Sequence, residues 1–326
     1  MEIARALLIV GEAGGGHPWP GAPPTPKPLF PIGNRPILFH QLESLSSAGV
    51  LEAVMVSERA ASSAILDAVD DGQRWGLRVR HLEWAPSSGL SGALQVSRPA
   101  LLDEPVLVQY GGSLLRERMY PHISAFAREQ LDTLALRLPE PDQHLAPGYL
   151  LSPRAISILS HRAAGAGNPV AGVRARGGRV REQPVDACLP CHGNLEALLE
   201  SNRRVLEDLR PAPLGATLHA TTIQGAVDVH PTARVERSLL RGPLVIGAGA
   251  RISDAYVGPY TSIGGGVVIE GSEIEHSIVL ERAELRFVGT RLESSVIGRG
   301  ARVARGFELP GAMRISVGNG AEVILR

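Results

Sequence analysis

The sequence predicts a two-part protein: an α/β domain on a mainly parallel sheet, followed by a parallel β-helix. Three observations predict it. Over the first two hundred residues short β-type runs alternate with helical stretches, the pattern of βαβ units whose crossovers cover a parallel sheet. From about Gly225 apolar residues recur every five or six positions, the rhythm of a coil with one inward aliphatic side chain per side. Between the two textures, Pro211-Ala212-Pro213 breaks a helical stretch. That break divides the chain into residues 1–212 and 213–326.

In the first part the strand candidates are Ala6–Val10, Glu52–Ser57, Leu77–Trp84, Val106–Tyr110 and Thr133–Leu138. The helix candidates between and after them are Pro36–Ala48, Arg59–Val69, Ser91–Leu102, Met119–Gln130 and Leu195–Leu209. In the second part the apolar series is Val229, Val235, Leu240, Ile246, Ile252, Val257, Ile263, Ile269 and Ile274. Three consecutive steps from Leu240 or from Val257 span 17 residues. Leu240, Val257 and Ile274 are therefore expected to stack, as are Ile246 with Ile263 and Ile252 with Ile269.

Composition narrows the function classes. The chain has 326 residues and a formal net charge of zero, so it lacks the electrostatic footprint of a nucleic-acid or membrane-surface binder. The apolar start, Ala6–Val10, is shorter than a signal-peptide core, and no run approaches a membrane span. Two cysteines exclude a disulfide scaffold. These features lead to the expectation of a soluble, cytoplasmic protein.

The first strand runs into GEAGGGHPWPGAPPTPKPLFPIG, residues 11–33. A buried strand followed by glycines is the setting in which backbone amides gather around a phosphate, and Gly11, Gly14 and Gly15 are candidates for that role. No Lys or Arg stands beside the glycines. The next such cation is Lys27, the one lysine among 33 basic residues. A compact ammonium in an otherwise all-arginine chain suggests a place where a point charge is wanted. Coding bias toward arginine, with one chance survivor, is the plainer reading.

Cys188-Leu189-Pro190-Cys191-His192 holds both cysteines at C-x-x-C spacing with a histidine behind. The pattern matches haem attachment, a redox pair or half a zinc site. Export, which haem attachment requires, has no signal here. Zinc needs four ligands, and only His17 offers itself from elsewhere. Two small apolar residues packing a loop explain the pair equally well. His276, in the repeat region, could be read as an acyl-transfer base, but with no identifiable partner it reads as a surface histidine.

Further residues carry a family resemblance. The strand and glycine loop, then Pro26-Lys27-Pro28-Leu29-Phe30-Pro31-Ile32-Gly33, Gln41-Leu42-Glu43, Asp71 to Gly76, Gly89-Leu90 and Leu198-Leu199-Glu200-Ser201-Asn202 resemble the sugar-1-phosphate nucleotidyltransferases. Gly258 to Gly264 and Glu275 to Val279 are similar to the long glucose-1-phosphate thymidylyltransferases of antibiotic-sugar pathways. These carry a C-terminal hexapeptide-repeat, left-handed β-helix. The resemblance implies a Rossmann-like nucleotidyltransferase domain that joins a nucleoside triphosphate to a sugar-1-phosphate. That chemistry needs a clamp on the triphosphate and a divalent metal, with no protein nucleophile.

The family's motifs are incomplete here. Its loop arginine has no counterpart in Gly14-Gly15-Gly16-His17. Its two metal-holding aspartates fall at Gly111-Gly112-Ser113 and Cys191-His192-Gly193, neither of which offers the carboxylate that Mg²⁺ prefers. Its base-reading glutamine corresponds to Trp84, whose indole can stack but cannot read a base edge. The sugar-binding segment expected between Leu138 and Gly148 is deleted, with only Pro139 to Pro147 standing there, and Ala163–Gly172 has no acid where the family has several. The family's lysine at residue 27 touches phosphate.

The expected function is a catalytically degraded homologue that binds a ligand or partners an enzyme in an antibiotic or sugar pathway. The alternatives are new chemistry around Cys191, Lys27 and Trp84, and residual nucleotidyl transfer. Candidate ligand-binding residues are Gly11, Gly14, Gly15, Lys27, Trp84, Gly89 and Ser113. Cys188, Cys191 and His192 are candidate reactive or metal-binding residues. No cofactor and no resident metal are expected. Expected partners are a phosphate-bearing small molecule, a pathway enzyme and further copies of the same chain, with no nucleic acid and no membrane.

Overall fold

The computed structural model describes residues 3–10, 26–101, 103–139, 146–161, 168–188, 195–210 and 217–305. In chain order the first domain comprises β1 (Arg5–Ile9), β2 (Pro31–Ile32), β3 (Arg35–Pro36), α1 (Ile37–Ser47), β4 (Glu52–Ser57), α2 (Arg59–Val69), β5 (Arg78–Glu83) and α3 (Gly89–Leu101). It continues with β6 (Val106–Tyr110), β7 (Leu114–Leu115), α4 (Tyr120–Arg128), β8 (Thr133–Arg137), β9 (Gly148–Leu151) and α5 (Pro153–Leu159). Last come α6 (Pro169–Arg174), β10 (Val180–Pro184), β11 (Ala187–Cys188) and α7 (Leu195–Glu207).

Seven strands form one sheet in the order β10-β8-β9-β6-β1-β4-β5. Every pair is parallel except those of β9, which runs against both β6 and β8. β1 shows why no alternation is visible in the sequence of its strand. Ala6 and Leu8 face a core shared with Leu38, Leu42 and Phe126, whereas Leu7 and Ile9 face one shared with Leu94 and Ile156. A strand covered on both faces must be apolar at every position. β9 and β10, and helices α5 and α6, fall where the sequence predicts no element. They are short, and α5 and α6 are built from Pro-led starts capped by Ser152 and Asn168.

The second domain is a three-sided parallel β-helix. The expected stacks are present: Leu240 pairs with Val257 and Val257 with Ile274, Ile246 with Ile263, and Ile252 with Ile269. All of these side chains are buried. The 17-residue coil then changes length. Ile269 pairs with Leu285, 16 residues on, and Ile274 with Leu292, 18 on. A shortened side is thus followed by a lengthened one, around the exposed Phe287.

Serines bind the corners between coils. The hydroxyl of Ser238 donates to the Glu236 carbonyl at 2.7 Å and accepts from the Ala255 amide at 3.1 Å. Ser277 repeats this with Glu275 and Ser295. Among the described residues no helix is long and apolar enough to cross a membrane.

Candidate functional site

In the parallel part of the sheet, successive crossovers leave β1 for β4 on one side and reach β6 on the other. The carboxyl ends of β1 and β6 therefore border a switch point, where open α/β sheets place their ligands. Gly111, just beyond β6, donates its amide to the Ile9 carbonyl at 2.7 Å. A Cβ at this glycine would lie 2.9 Å from Val10 Cα and 3.2 Å from Pro28 Cγ. The 3-10 turn Lys27–Leu29 is thus pressed onto the switch point itself. The prolines at 26 and 28 fix the local φ, and the Leu29 amide closes the turn on the Pro26 carbonyl at 2.8 Å.

After the turn comes a two-residue hairpin. Gly33 and Asn34 both have positive φ, 54° and 62°, the requirement of the turn that matches strand twist in a two-residue loop. β2 and β3 pair across it, Ile32 opposite Arg35. His40 of α1 holds the hairpin through a ring nitrogen 3.1 Å from the Ile32 carbonyl. Burial lowers the pKa of this imidazole, with nearby Arg35 adding to the shift. The neutral ring, protonated on Nε2, suits the contact.

Ser113 is placed beside the switch point, but its hydroxyl turns inward. It lies 2.7 Å from the Tyr110 carbonyl and 3.1 Å from the Pro147 carbonyl, and it accepts from Gln41 Nε2 at 3.3 Å. Gln41 also donates to the Tyr110 carbonyl at 2.7 Å. This knot fixes the chain after β6 and uses the polar groups that a ligand would need. Burial raises the pKa of the Tyr110 phenol, which therefore stays neutral. From Val106 to Leu115 there is no carboxylate, so the end of β6 does not fit a hard divalent cation.

β11 pairs with β7, placing Cys188 opposite Leu114. The start of the cysteine motif thereby reaches the strand that directly follows Ser113, a juxtaposition the spacing alone did not reveal. Cys191 and His192 lie outside the described residues, as do His17, Gly11, Gly14 and Gly15.

Trp84 is 7% exposed and packs in the core with Val56, Leu90 and Leu94. The indole is a wall rather than an open stacking platform. Its Nε1 finds no partner among the described residues. It borders an open cleft of about 530 Å³ whose rim includes Glu58, Arg59, Glu83, Ser88 and Gln95. Ser88 packs directly on Gly92, where a Cβ would meet its hydroxyl at 1.8 Å. Gly89 begins α3 with φ of 57° and has open space around it. The Lys27–Leu29 turn thus meets Gly111 through Pro28 at the switch point, while Trp84 and Gly89 lie at the β5–α3 end of the same sheet edge.

His276 stands at a coil corner with φ of 45°. Its Nδ1 is 3.1 Å from the Ser294 hydroxyl, and its ring meets Tyr260 edge-on at 6.4 Å. No carboxylate is among these partners, and the arrangement is that of a corner rather than a general base.

A doubly wound sheet with its switch point between β1 and β6, joined to a β-helix, is the architecture of a nucleotidyltransferase. The family model for nucleotidyl transferases matches residues 15–149. A glucose-1-phosphate thymidylyltransferase of Streptomyces griseus is 30% identical over 97% of this chain and 98% of its own. One from Streptomyces antibioticus is 29% identical over 98% and 99%. A low-salt glycan biosynthesis nucleotidyltransferase of Haloferax volcanii is 26% identical over 92% and 94%. The chain belongs to the sugar nucleotidyltransferase family, among relatives that are glucose-1-phosphate thymidylyltransferases. A Bacillus anthracis structure assigned to the same activity and holding sucrose shares the fold, at TM-score 0.53 and 14% identity, over 64% of this chain and 98% of that one.

Proposed function

We propose that this chain no longer performs nucleotidyl transfer and acts as a ligand-binding or partner protein in an antibiotic or sugar biosynthetic pathway. The observation that carries this reading is the segment after β6. Its sequence is Gly111-Gly112-Ser113, and its one hydroxyl is committed to the Gln41, Tyr110 and Pro147 knot. Phosphoryl chemistry depends on charge placed where negative charge develops, and removing one such group costs a factor of about 10²–10³ in rate. Here the carboxylates that would hold a metal are replaced, and the glycine loop carries no arginine.

A pocket for an anion remains compatible with the geometry. The Lys27 turn abuts Gly111 and the end of β1, so residue 27 stands at the crevice. The proposed ligand is a phosphate-bearing small molecule. Titration calorimetry with nucleotides and sugar phosphates tests this, using wild type, Lys27→Ala and Lys27→Arg. Wild type is expected to bind at least one of them, Lys27→Ala to lose that binding, and Lys27→Arg to recover it in part. Equal binding by wild type and Lys27→Ala, or none by wild type, would remove the crevice from the account and leave a scaffold acting through its surface.

A further inference from the structure

The side chain of Asn202 on α7 is fully buried where three separate parts of the chain meet. Its Oδ1 accepts from the Gly33 amide at 2.9 Å and from the Ser262 hydroxyl at 2.7 Å. Its Nδ2 donates to the Tyr260 carbonyl at 3.0 Å. Gly33 belongs to the hairpin of the first domain, Tyr260 and Ser262 to a coil of the second. A third bond also spans the domains, from Asn34 Nδ2 to the Ile263 carbonyl at 2.6 Å. Around these bonds Phe30, Ile32 and Ile37 share one apolar core with Leu198, Leu199 and Ile278.

We infer that Asn202 is a latch through which the β-helix holds the Lys27 turn against the switch point of the sheet. The path is continuous in contacts. The coil grips Asn202, Asn202 grips Gly33, and three residues ahead of Gly33 the Phe30 amide bonds the Lys27 carbonyl at 3.0 Å. One residue on from Lys27, Pro28 rests on Gly111. A hairpin of two-residue strands cannot hold itself in water, so its order must come from what it packs against. The conformation at Gly33 is itself pinned from behind, because a Cβ there would lie 2.9 Å from Val205 Cγ1 of α7. Asn202 is suited to be the centre of this arrangement. A buried amide that loses one partner leaves its others strained or unsatisfied, so the three bonds stand or fall together.

On this account the β-helix is a structural part of the crevice. Asn202 is a positioning residue, acting on the Lys27 turn without touching a ligand. The inference concerns the unliganded chain, so it stands or fails separately from the proposed loss of transfer activity.

Amide hydrogen exchange on the full chain tests it, comparing wild type, Asn202→Leu and Ser262→Ala. In Asn202→Leu, peptides covering 29–37 are expected to exchange about tenfold faster, the equivalent of losing one to two buried hydrogen bonds. Peptides covering β6 and the coil strands at 252 and 269 are expected to keep wild-type protection. Ser262→Ala, made on the coil face, is expected to give a smaller increase confined to 29–37. Unchanged protection at 29–37 in Asn202→Leu would overturn the latch, and so would equal acceleration in all three regions. If Asn202→Leu does not fold, Ser262→Ala decides: faster exchange restricted to 29–37 supports the latch, and wild-type exchange there overturns it.

Discussion

Substituting Gly111 by alanine tests whether the Lys27 turn is pressed onto the sheet as tightly as the structure has it. The added Cβ would meet Val10 Cα at 2.9 Å, the Ile9 carbonyl oxygen at 3.2 Å and Pro28 Cγ at 3.2 Å. Ile9 ends β1 and Val10 follows it directly; β1 is an interior strand paired on both sides, so these two atoms cannot retreat without breaking its ladders. Pro28 can move, at the expense of the turn. Overpacking of this kind costs about 1–3 kcal/mol. Against it, alanine narrows the unfolded ensemble by about 0.4–1 kcal/mol, leaving a net loss of roughly 1–2 kcal/mol. All three tryptophans, Trp19, Trp75 and Trp84, lie in the first domain, so their fluorescence follows that domain alone. With an m-value of about 2–3 kcal/mol/M, the urea midpoint should fall by about 0.5 M. Gly298→Ala serves as the control, since nothing lies within 4 Å of its added Cβ and the glycine is not at positive φ. It should leave the fluorescence midpoint where it is. A Gly111→Ala midpoint equal to or above wild type would refute the close approach of turn and strand.

Three further outcomes are expected. Ile252→Ala empties a fully enclosed position in the coil stack and should cost about 2–5 kcal/mol, read as an earlier loss of β-sheet circular dichroism. Phe287→Ala, at a half-exposed corner, should cost far less. His40 gives a pH signature: burial holds its folded pKa below the ordinary imidazole value. As pH falls, the unfolded chain therefore takes up the proton first. This contribution to stability is complete above about pH 6.5 and is lost below it, down through the folded pKa. His40→Gln should flatten that slope in urea midpoints measured from pH 7 to pH 5. The chain is also proposed to assemble with itself, as β-helix edges favour pairing. Light scattering at micromolar concentration should give more than the monomer mass, and a monomer throughout would remove that proposal.

The elements legible in the sequence are those whose side chains repeat against a neighbour. β4 and β6 carry apolar runs, Ala53–Val56 and Val106–Val108, because both faces are covered, and the predicted bounds Glu52–Ser57 and Val106–Tyr110 agree with the structure. The coil stacks were readable because each side contributes one aliphatic residue at a fixed spacing. β9 was not legible: its Gly148-Tyr149-Leu150-Leu151 is too short to show a period, and it runs antiparallel after a segment the parallel pattern does not prepare for. The change to 16 and then 18 residues per coil was hidden because the apolar residue survives on each side while the corner length changes.

Among the candidate positions, Lys27 was singled out by its rarity and Gly111 by its family position. Neither signal showed that Pro28 and Gly111 touch. Ser113 was a candidate by residue type, which says nothing of direction, and its hydroxyl faces the Gln41 knot. Asn202 was visible only as part of a family-like helix. Its bonds join Gly33 and Ser262, which lie 169 and 60 residues away, and no local pattern announces such a pairing.

The most direct test of the account is a pyrophosphate-release assay on the full chain with Mg²⁺, glucose-1-phosphate and each common nucleoside triphosphate in turn. The proposed loss of nucleotidyl transfer predicts no release above the protein-free background with any of them. Turnover near one per second, an ordinary enzymatic rate, would contradict the account and return the chain to the working transferases.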